Sequence, residues 1–267
     1  QWIPENCIQC NQCAFVCPHA CIRPAVNEAG TEKPATYKTS NCIGLKGYEF
    51  RMQVSPLDCM GCGVCANVCP SKNKALVMVP FEQSVQEESA NYEFSEKLPK
   101  VDTSAFKRTT VKGSQFNKPL FEFSGACAGC GETPYVKVVT QMFGDRMVVA
   151  NATGCSSIYG GSAPTCPYTT NDEGHGPAWA NSLFEDNAEF GFGMNLAISH
   201  RRNKLAETVK ALIAVEWATA DIKAAGAEWL EKMDDAEGSK EAGAKLLAAC
   251  KDGIDLTGTP YEGKDCD

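Results

Sequence analysis

The sequence lacks long hydrophobic runs and an excess of positive charge. No stretch of about 18 apolar residues occurs, and the mean hydropathy is −0.25, so we expect no membrane-spanning helix. The chain has 25 Lys and Arg against 33 Asp and Glu, a net charge of −8. This balance argues against non-specific nucleic-acid binding, which requires a basic surface. A hydrophobic content of 43% argues against a disordered chain.

The chain also lacks an initiator methionine and a recognisable signal peptide. It begins at Gln1 without a charged segment before an apolar run. We interpret the missing methionine as the mark of a processed chain or of a piece of a longer polypeptide, and favour the second. Because the thiols must stay reduced, we predict a cytoplasmic location. The length of 267 residues predicts about two domains.

Cysteine, by contrast, is abundant and concentrated near the N terminus. Ten of the 16 cysteines lie in the first 69 residues, mostly two or three residues apart within two short runs. A disulfide framework usually distributes its cysteines among separate loops. The clustering therefore predicts thiolates that converge on metal centres.

Residues 7–18 (CIQCNQCAFVCP) and 59–70 (CMGCGVCANVCP) repeat one pattern of four cysteines followed by proline. In bacterial two-cluster ferredoxins, the first three cysteines of such a run hold one [4Fe–4S] cluster and the fourth closes the other. Zinc is the alternative, because C-x2-C pairs often bind it, but zinc rarely needs this longer run twice. We therefore predict two clusters, one held by Cys7, Cys10, Cys13 and Cys69, the other by Cys59, Cys62, Cys65 and Cys17.

A second group of cysteines follows at Cys127, Cys130 and Cys155. The C-x2-C spacing alone is compatible with a redox pair, a zinc site or a cluster. Because electron transfer between clusters needs a chain of them, we consider a third [4Fe–4S] cluster on these residues and one further cysteine. Cys166 is either that ligand or a buried structural thiol, and we favour the thiol. We also expect no ligand role for the other cysteines, which are Cys21, Cys42, Cys250 and Cys266.

Hydrophobic periodicity predicts the coarse organisation of the chain. The polar insert 24–56 is predicted to be a loop with one short hairpin, and 80–120 a connection with a domain boundary near residue 100. A strand, a small-residue loop and helices predict an α/β arrangement beyond that boundary. The predicted elements there are a helix over 131–143, a strand over 146–150, helices over 178–199 and 204–250 with a break at 237–239, and an irregular tail over 251–267.

These motifs resemble the pyruvate:ferredoxin (flavodoxin) oxidoreductases. The resemblance extends through FSGACAGCGETPYVK (123–137), NATGCSSIYGGSAPTCPYTTN (151–171) and GHGPAWANSLFEDNAEFGFGM (174–194), and is weakest in 80–120 and beyond about residue 203. It implies an α+β chain. Residues 1–100 would form a ferredoxin-like domain, and 101–267 the front part of an α/β domain that binds thiamine diphosphate.

The resemblance also implies a reaction, which is the oxidative decarboxylation of pyruvate with coenzyme A to acetyl-CoA and CO2. Single electrons would pass from thiamine diphosphate, bound with Mg2+, through three [4Fe–4S] clusters to ferredoxin or flavodoxin. The parent enzyme would be a homodimer of anaerobic metabolism, and this chain its electron-transfer segment, incomplete and inactive alone. The alternatives are a stand-alone iron–sulfur electron-transfer protein and an enzyme for a different 2-oxoacid.

By resemblance, Cys127, Cys130 and Cys155 bind the cluster nearest the thiamine, with a fourth ligand beyond Asp267. Glu132 and Cys155 would lie at the cofactor. Without the resemblance, Glu132 is better explained as an acid favoured at a helix N terminus. The Gly-Asp-Gly motif of thiamine enzymes does not occur. We assign no catalytic residue and give His175 no role.

Overall fold

The computed structural model describes residues 1–161, 166–184, 186–236 and 238–253. The chain forms two compact units, residues 1–188 and a second unit that begins at Glu189. The predicted boundary near residue 100 does not coincide with this division. Cys266 and most of the predicted irregular tail lie outside the described residues.

The first unit contains a three-stranded antiparallel sheet in the order β1–β3–β2. Strands β1 (Ile22–Glu28) and β3 (Tyr48–Val54) pair over seven residues, and β2 (Ser40–Asn41) pairs with the other edge of β3. Phe50 and Met52 of β3 are almost fully buried in the main hydrophobic core. The predicted short hairpin within 24–56 is confirmed as the β2–β3 pair, but the seven-residue pairing of β1 with β3, which makes this segment part of a sheet, was missed.

Hydrophobic periodicity did not predict this sheet, because β3 is buried on both of its faces. Arg51 and Gln53 alternate with the apolar residues, as expected for an exposed face, but are 2% and 1% exposed. Hydrogen bonds to Lys38 and Glu88 satisfy their polar atoms. Hydrophobicity alone does not indicate burial of this kind.

Two short helices begin inside the cysteine runs. Helix α1 (Gln12–Phe15) follows Asn11, and α2 (Val64–Val68) follows Gly63; both preceding residues have positive φ, 60° and 74°. The two helices pack against each other. The left-handed residue allows the chain to turn sharply from each cysteine loop into its helix.

Helix α3 (Phe81–Glu96) occupies the segment predicted as a connection, so that prediction is wrong for these residues. Its contact with the rest of the unit is largely polar. Asn91, fully buried, exchanges hydrogen bonds of 3.0 and 3.3 Å with Thr36, and Glu88 pairs with Arg51. Since α3 carries no clear apolar stripe, periodicity did not reveal it.

The rest of the first unit has the predicted alternation of strand and helix. The helix predicted over 131–143 is confirmed as α5, with Pro134 in its first turn, whereas the predicted helix over 178–199 begins instead as a strand. That strand, β5, pairs in parallel with β4. The elements are α4 (Val111–Ser114), α5 (Thr133–Phe143), β4 (Val148–Asn151), α6 (Cys155–Gly161) and β5 (Ala178–Asn181).

The second unit is helical in its described part. It consists of α7 (Asn187–Ala214), α8 (Ala220–Lys232) and α9 (Gly238–Gly253). The predicted break near 237–239 separates α8 from α9, but a second break after Ala214 was missed. Thr219 caps α8 there by accepting a hydrogen bond from the Ile222 amide at 3.3 Å.

Candidate iron–sulfur centres

Cysteines of both runs line one cavity beneath the N terminus. Three come from the first run and the fourth from the end of the second: Cys7, Cys10, Cys13 and Cys69. The rest of the lining is almost entirely apolar and includes Trp2, Ile8, Met52, Pro70, Ala75 and Leu76. The structure thus brings together the residues of the first predicted ligand set in largely apolar surroundings.

Burial raises the pKa of the Cys13 thiol, and the neighbouring thiolates of Cys7, Cys65 and Cys10 raise it further. A thiol of this kind stays protonated in the absence of metal. Iron ions would supply the missing positive charge and release the proton. The influence of Cys65 also shows that the two cysteine runs lie close together.

The four cysteines of the second predicted set also lie near one another. Burial, followed by the charges of Cys17 and Cys59 and then that of Cys62, raises the pKa of Cys65 to about 11. Cys17 is 7% exposed, whereas Cys59 lies at the surface. The fourth cysteine of the first run is therefore directed toward the second run, although it follows Cys13 by only four residues.

Cys17 differs electrostatically from the other cysteines. A hydrogen bond from the adjacent Cys21 thiol lowers the pKa of Cys17 against the opposing effect of burial, and the Lys137 ammonium lowers it further. The same pairing raises the pKa of Cys21, whose Sγ also lies 3.0 Å from the Asp58 carbonyl oxygen. Cys17 is thus the thiol of this group best suited to bind metal as a thiolate.

Peptide amides reach the sulfur atoms in both sets. The Ala75 amide donates to Cys69 Sγ at 3.3 Å, and the amides of Ala14 and Ala66 stabilise the thiolates of Cys13 and Cys65. Thiolates, amide donors and an apolar wall are the features that hold and tune iron–sulfur clusters. Among the described residues, no three His, Cys, Asp or Glu side chains converge closely enough for a single ion. A cube does not require this, because each of its cysteines binds a different iron.

The third group of cysteines lies at the start of α5 and α6. Burial raises the pKa of Cys130, but hydrogen bonds from the amides of Thr133 and Glu132 outweigh it, so the net shift is downward. Cys127 is exposed, and its carbonyl accepts from the Cys130 amide at 3.0 Å. Cys155 is also exposed and begins α6.

Tyr159 of α6 interacts with residues of the Cys130 loop, so α6 lies beside this loop. It lies one turn after Cys155 on α6, and burial together with Glu132 raises its pKa. Glu132 itself is exposed at the N-terminal boundary of α5, where its side chain makes no capping hydrogen bond. The structure therefore places Glu132 near Cys130 and near Tyr159, which follows Cys155 by one helical turn.

The loop of the third group packs directly on the second cysteine run. A Cβ atom at Gly129 would lie 3.5 Å from Cys62 Cβ and 3.8 Å from a Val64 methyl carbon. Gly129 has a φ of +75°, which favours glycine. The Cys127–Cys130 loop thus lies so close to the Cys59–Cys65 run that a side chain at position 129 would contact Cys62, a proximity that the sequence did not reveal.

Two buried polar residues, also missed from the sequence, join α5 and its preceding segment to the cysteine runs. The Lys137 ammonium donates to the carbonyls of Ala14, Phe15 and Cys17. His19 Nδ1 lies 3.0 Å from the Ser124 carbonyl. A single lysine or histidine carries no spacing signal that would have identified either contact.

Of the cysteines outside the three sets, two are buried as expected and Cys166 is not. Cys21 and Cys42 are buried in the main core. Cys166, expected to be a buried thiol, is exposed, and its Sγ lies 3.7 Å from the Gly160 carbonyl oxygen. Cys250 is partly exposed on α9. None of the cysteines among the described residues forms a disulfide.

His175 also lies at the surface, with Nδ1 3.6 Å from a Glu173 carboxylate oxygen. Neither residue lies in the cysteine-lined regions. Across the described parts of the chain, every helix is too short or too polar to cross a membrane.

Two family profiles match the chain. Residues 6–72 match a 4Fe-4S double cluster binding domain, which covers both cysteine runs. Residues 201–255 match the insertion domain of pyruvate-ferredoxin oxidoreductase. The second match covers most of the helical unit, which our sequence prediction had not separated from the thiamine-binding domain.

The chain is similar over most of its length to much longer proteins. It is 61% identical to the pyruvate:ferredoxin oxidoreductase of Moorella thermoacetica over 93% of the chain, and 50% identical to the pyruvate-flavodoxin oxidoreductase of Klebsiella pneumoniae over 99%. It is 51% identical over 86% to the mitochondrial pyruvate dehydrogenase [NADP(+)] of Euglena gracilis. The chain covers 21%, 23% and 13% of these relatives. It therefore belongs to the pyruvate:ferredoxin/flavodoxin oxidoreductase family, as a segment that contains the double-cluster domain.

Proposed function

We propose that this chain is the electron-transfer segment of an enzyme that oxidatively decarboxylates pyruvate with coenzyme A. The observation that carries the proposal is the placement of cysteines from both runs around one cavity, as an interleaved two-cluster domain requires. The names of the similar proteins support pyruvate as the substrate and ferredoxin or flavodoxin as the acceptor.

The proposed ligands are the two interleaved sets and a third, incomplete set. Cys7, Cys10, Cys13 and Cys69 would hold one [4Fe–4S] cluster, and Cys59, Cys62, Cys65 and Cys17 the other; Cys127, Cys130 and Cys155 would contribute to a third. When bound, such clusters supply one-electron chemistry. The protein would provide the thiolates, the amide donors and the apolar wall described above.

The contacts between loops suggest an order for the three sets. Gly129, in the loop of the third set, faces Cys62 of the second set, and Cys65 of the second set influences Cys13 of the first. The second set thus lies between the other two. Ile8 in the first run and Met60 in the second are each 55% exposed, so both runs are accessible to ferredoxin or flavodoxin at the surface.

The thiamine diphosphate and coenzyme A sites of the proposed enzyme would be formed largely by residues other than those described above. We propose that Glu132 and Cys155 face thiamine diphosphate, whose Mg2+ and diphosphate ligands, like the coenzyme A site, belong to other segments. Glu132 supports this by its position near Cys130 and Tyr159. We also propose a homodimer in the cytoplasm, where the free thiols would stay reduced.

Anaerobic purification tests the central proposal. We expect iron and sulfide in a ratio near 4:4 for each cluster and a rhombic EPR signal after reduction with dithionite, because thiolates in this arrangement hold cubes. Chemical analysis of metal and sulfide, with EPR at low temperature, measures both. Stoichiometric zinc without sulfide would contradict the proposal.

A further inference from the structure

Lys137 is a buried cation at the junction of the cysteine sets. It lies on α5, and its side chain is 1% exposed. The ammonium donates to the carbonyls of Ala14, Phe15 at 3.0 Å and Cys17 at 3.3 Å. Three carbonyls match the three N–H donors of lysine, so the hydrogen-bonding capacity of the ammonium is satisfied.

These carbonyls satisfy hydrogen bonds but do not neutralise the charge. Among the described residues, the ammonium forms no ion pair with a carboxylate; burial lowers the pKa of Lys137 to about 8, Arg23 lowers it further, and the thiolates of Cys17 and then Cys13 oppose this most strongly. A buried charge without a counter-charge is costly. The cysteine sulfurs of the two runs are therefore the natural partners of Lys137.

Cys17 and Cys13 belong to different proposed ligand sets. A cube held by four thiolates carries net negative charge, and reduction adds one more negative charge. A fixed cation in a medium of low dielectric constant favours the more negative state. Lys137 would thus favour the reduced state at both sets, and more strongly at the set containing Cys17, whose carbonyl it contacts.

We propose that Lys137 is a positioning residue whose charge raises the reduction potentials of both clusters in the double-cluster domain. Lys137 lies on α5, which begins three residues after Cys130. The cation that would set the potentials of the two clusters and the loop of the third cysteine group therefore belong to one continuous segment of the chain. This inference rests on the proposed ligand sets.

The test measures potentials by EPR-monitored redox titration of the anaerobically purified polypeptide that contains this chain. In Lys137→Met, we expect the ratio of reduced to oxidised cluster at a fixed potential to fall at least tenfold for the Cys17 set, equivalent to about 59 mV for a one-electron couple. The Cys13 set should shift in the same direction but less. Lys137→Arg, which keeps the charge, should stay close to the wild type.

Lys74→Met is the matched control. Lys74 also donates to the carbonyl of a proposed ligand, Cys69, at 2.7 Å, but it is only partly buried, so solvent screens its charge. We expect a much smaller shift in this variant.

Lys137→Gln keeps a hydrogen-bond donor but loses the charge, and so separates the two effects. Potentials in Lys137→Met and Lys137→Gln that match those of Lys74→Met would overturn the proposal. So would cluster loss in both neutral variants with retention in Lys137→Arg, since Lys137 would then act in assembly. Absence of cubes from the wild-type protein would refute the ligand sets instead, so the two failures are distinguishable.

Discussion

Replacing Cys17 with alanine should abolish the cluster of the distant Cys59–Cys65 run and spare that of the neighbouring Cys7–Cys13 run. Cys17 follows Cys13 by four residues in sequence, but its side chain influences Cys65. Iron content should fall by about four atoms per polypeptide, because a cube that loses one of its four thiolates is labile.

EPR spectra of the dithionite-reduced protein distinguish the two clusters. The reciprocal variant, Cys69→Ala, should remove the signal of the first set and retain that of the second. Cys42→Ala is the matched control, because Cys42 is buried in the same core but belongs to neither set. It should keep both signals.

Cys21 requires a second variant, because its thiol adjoins Cys17 and could replace the missing ligand. A Cys17→Ala/Cys21→Ser protein removes this substitute and should lose the second cluster completely. If either Cys17 variant lost only the signal of the Cys7–Cys13 run, the interleaved arrangement would be wrong.

The Arg51→Met substitution should lower the free energy of unfolding by about 3–5 kcal/mol, the usual cost of breaking a buried ion pair. Arg51 is 2% exposed and donates to Glu88 at 2.7 Å, to Gln53 at 2.6 Å and to the Lys38 carbonyl at 3.0 Å. Its guanidinium also lies 4.7 Å from the centre of the Tyr37 ring. Without it, Glu88, whose side chain is 14% exposed, would lose its ion-pair partner at the contact between β3 and α3.

Urea unfolding of the cluster-loaded protein, followed by circular dichroism, measures this loss. The Arg51→Met/Glu88→Leu double variant should recover much of it, because removing both charges leaves no unpaired ion. Lys72→Ala, at an exposed position, should change stability by less than about 0.5 kcal/mol. A loss below about 1 kcal/mol in Arg51→Met would show that this network does not hold α3 on the sheet.

The segments with clear periodicity were predictable, and those held by polar contacts were not. Helix α5 has apolar residues at helical spacing and was found at its predicted position. Strand β3 and helix α3 escaped prediction because they meet through Glu88, which bonds Arg51 and Gln53, and because Asn91 of α3 is buried against Thr36. Local patterns report apolar burial, whereas partners for buried polar groups depend on residues far apart in the chain.

By itself, the sequence determined the chemistry of this protein. The cysteine spacing in the two runs identified the ligand type, and the long motifs around Cys130 and Cys155 identified the family. Only the tertiary structure decided how the cysteine groups are placed: Gly129 faces Cys62, and Lys137 binds the carbonyls at the C-terminal end of α1 and in the turn after it. The reason is physical. A thiolate binds iron through its own chemistry, so the residue type and spacing are enough to predict the ligands. The distances between separate loops, and the charges that act across them, are set only when the chain folds.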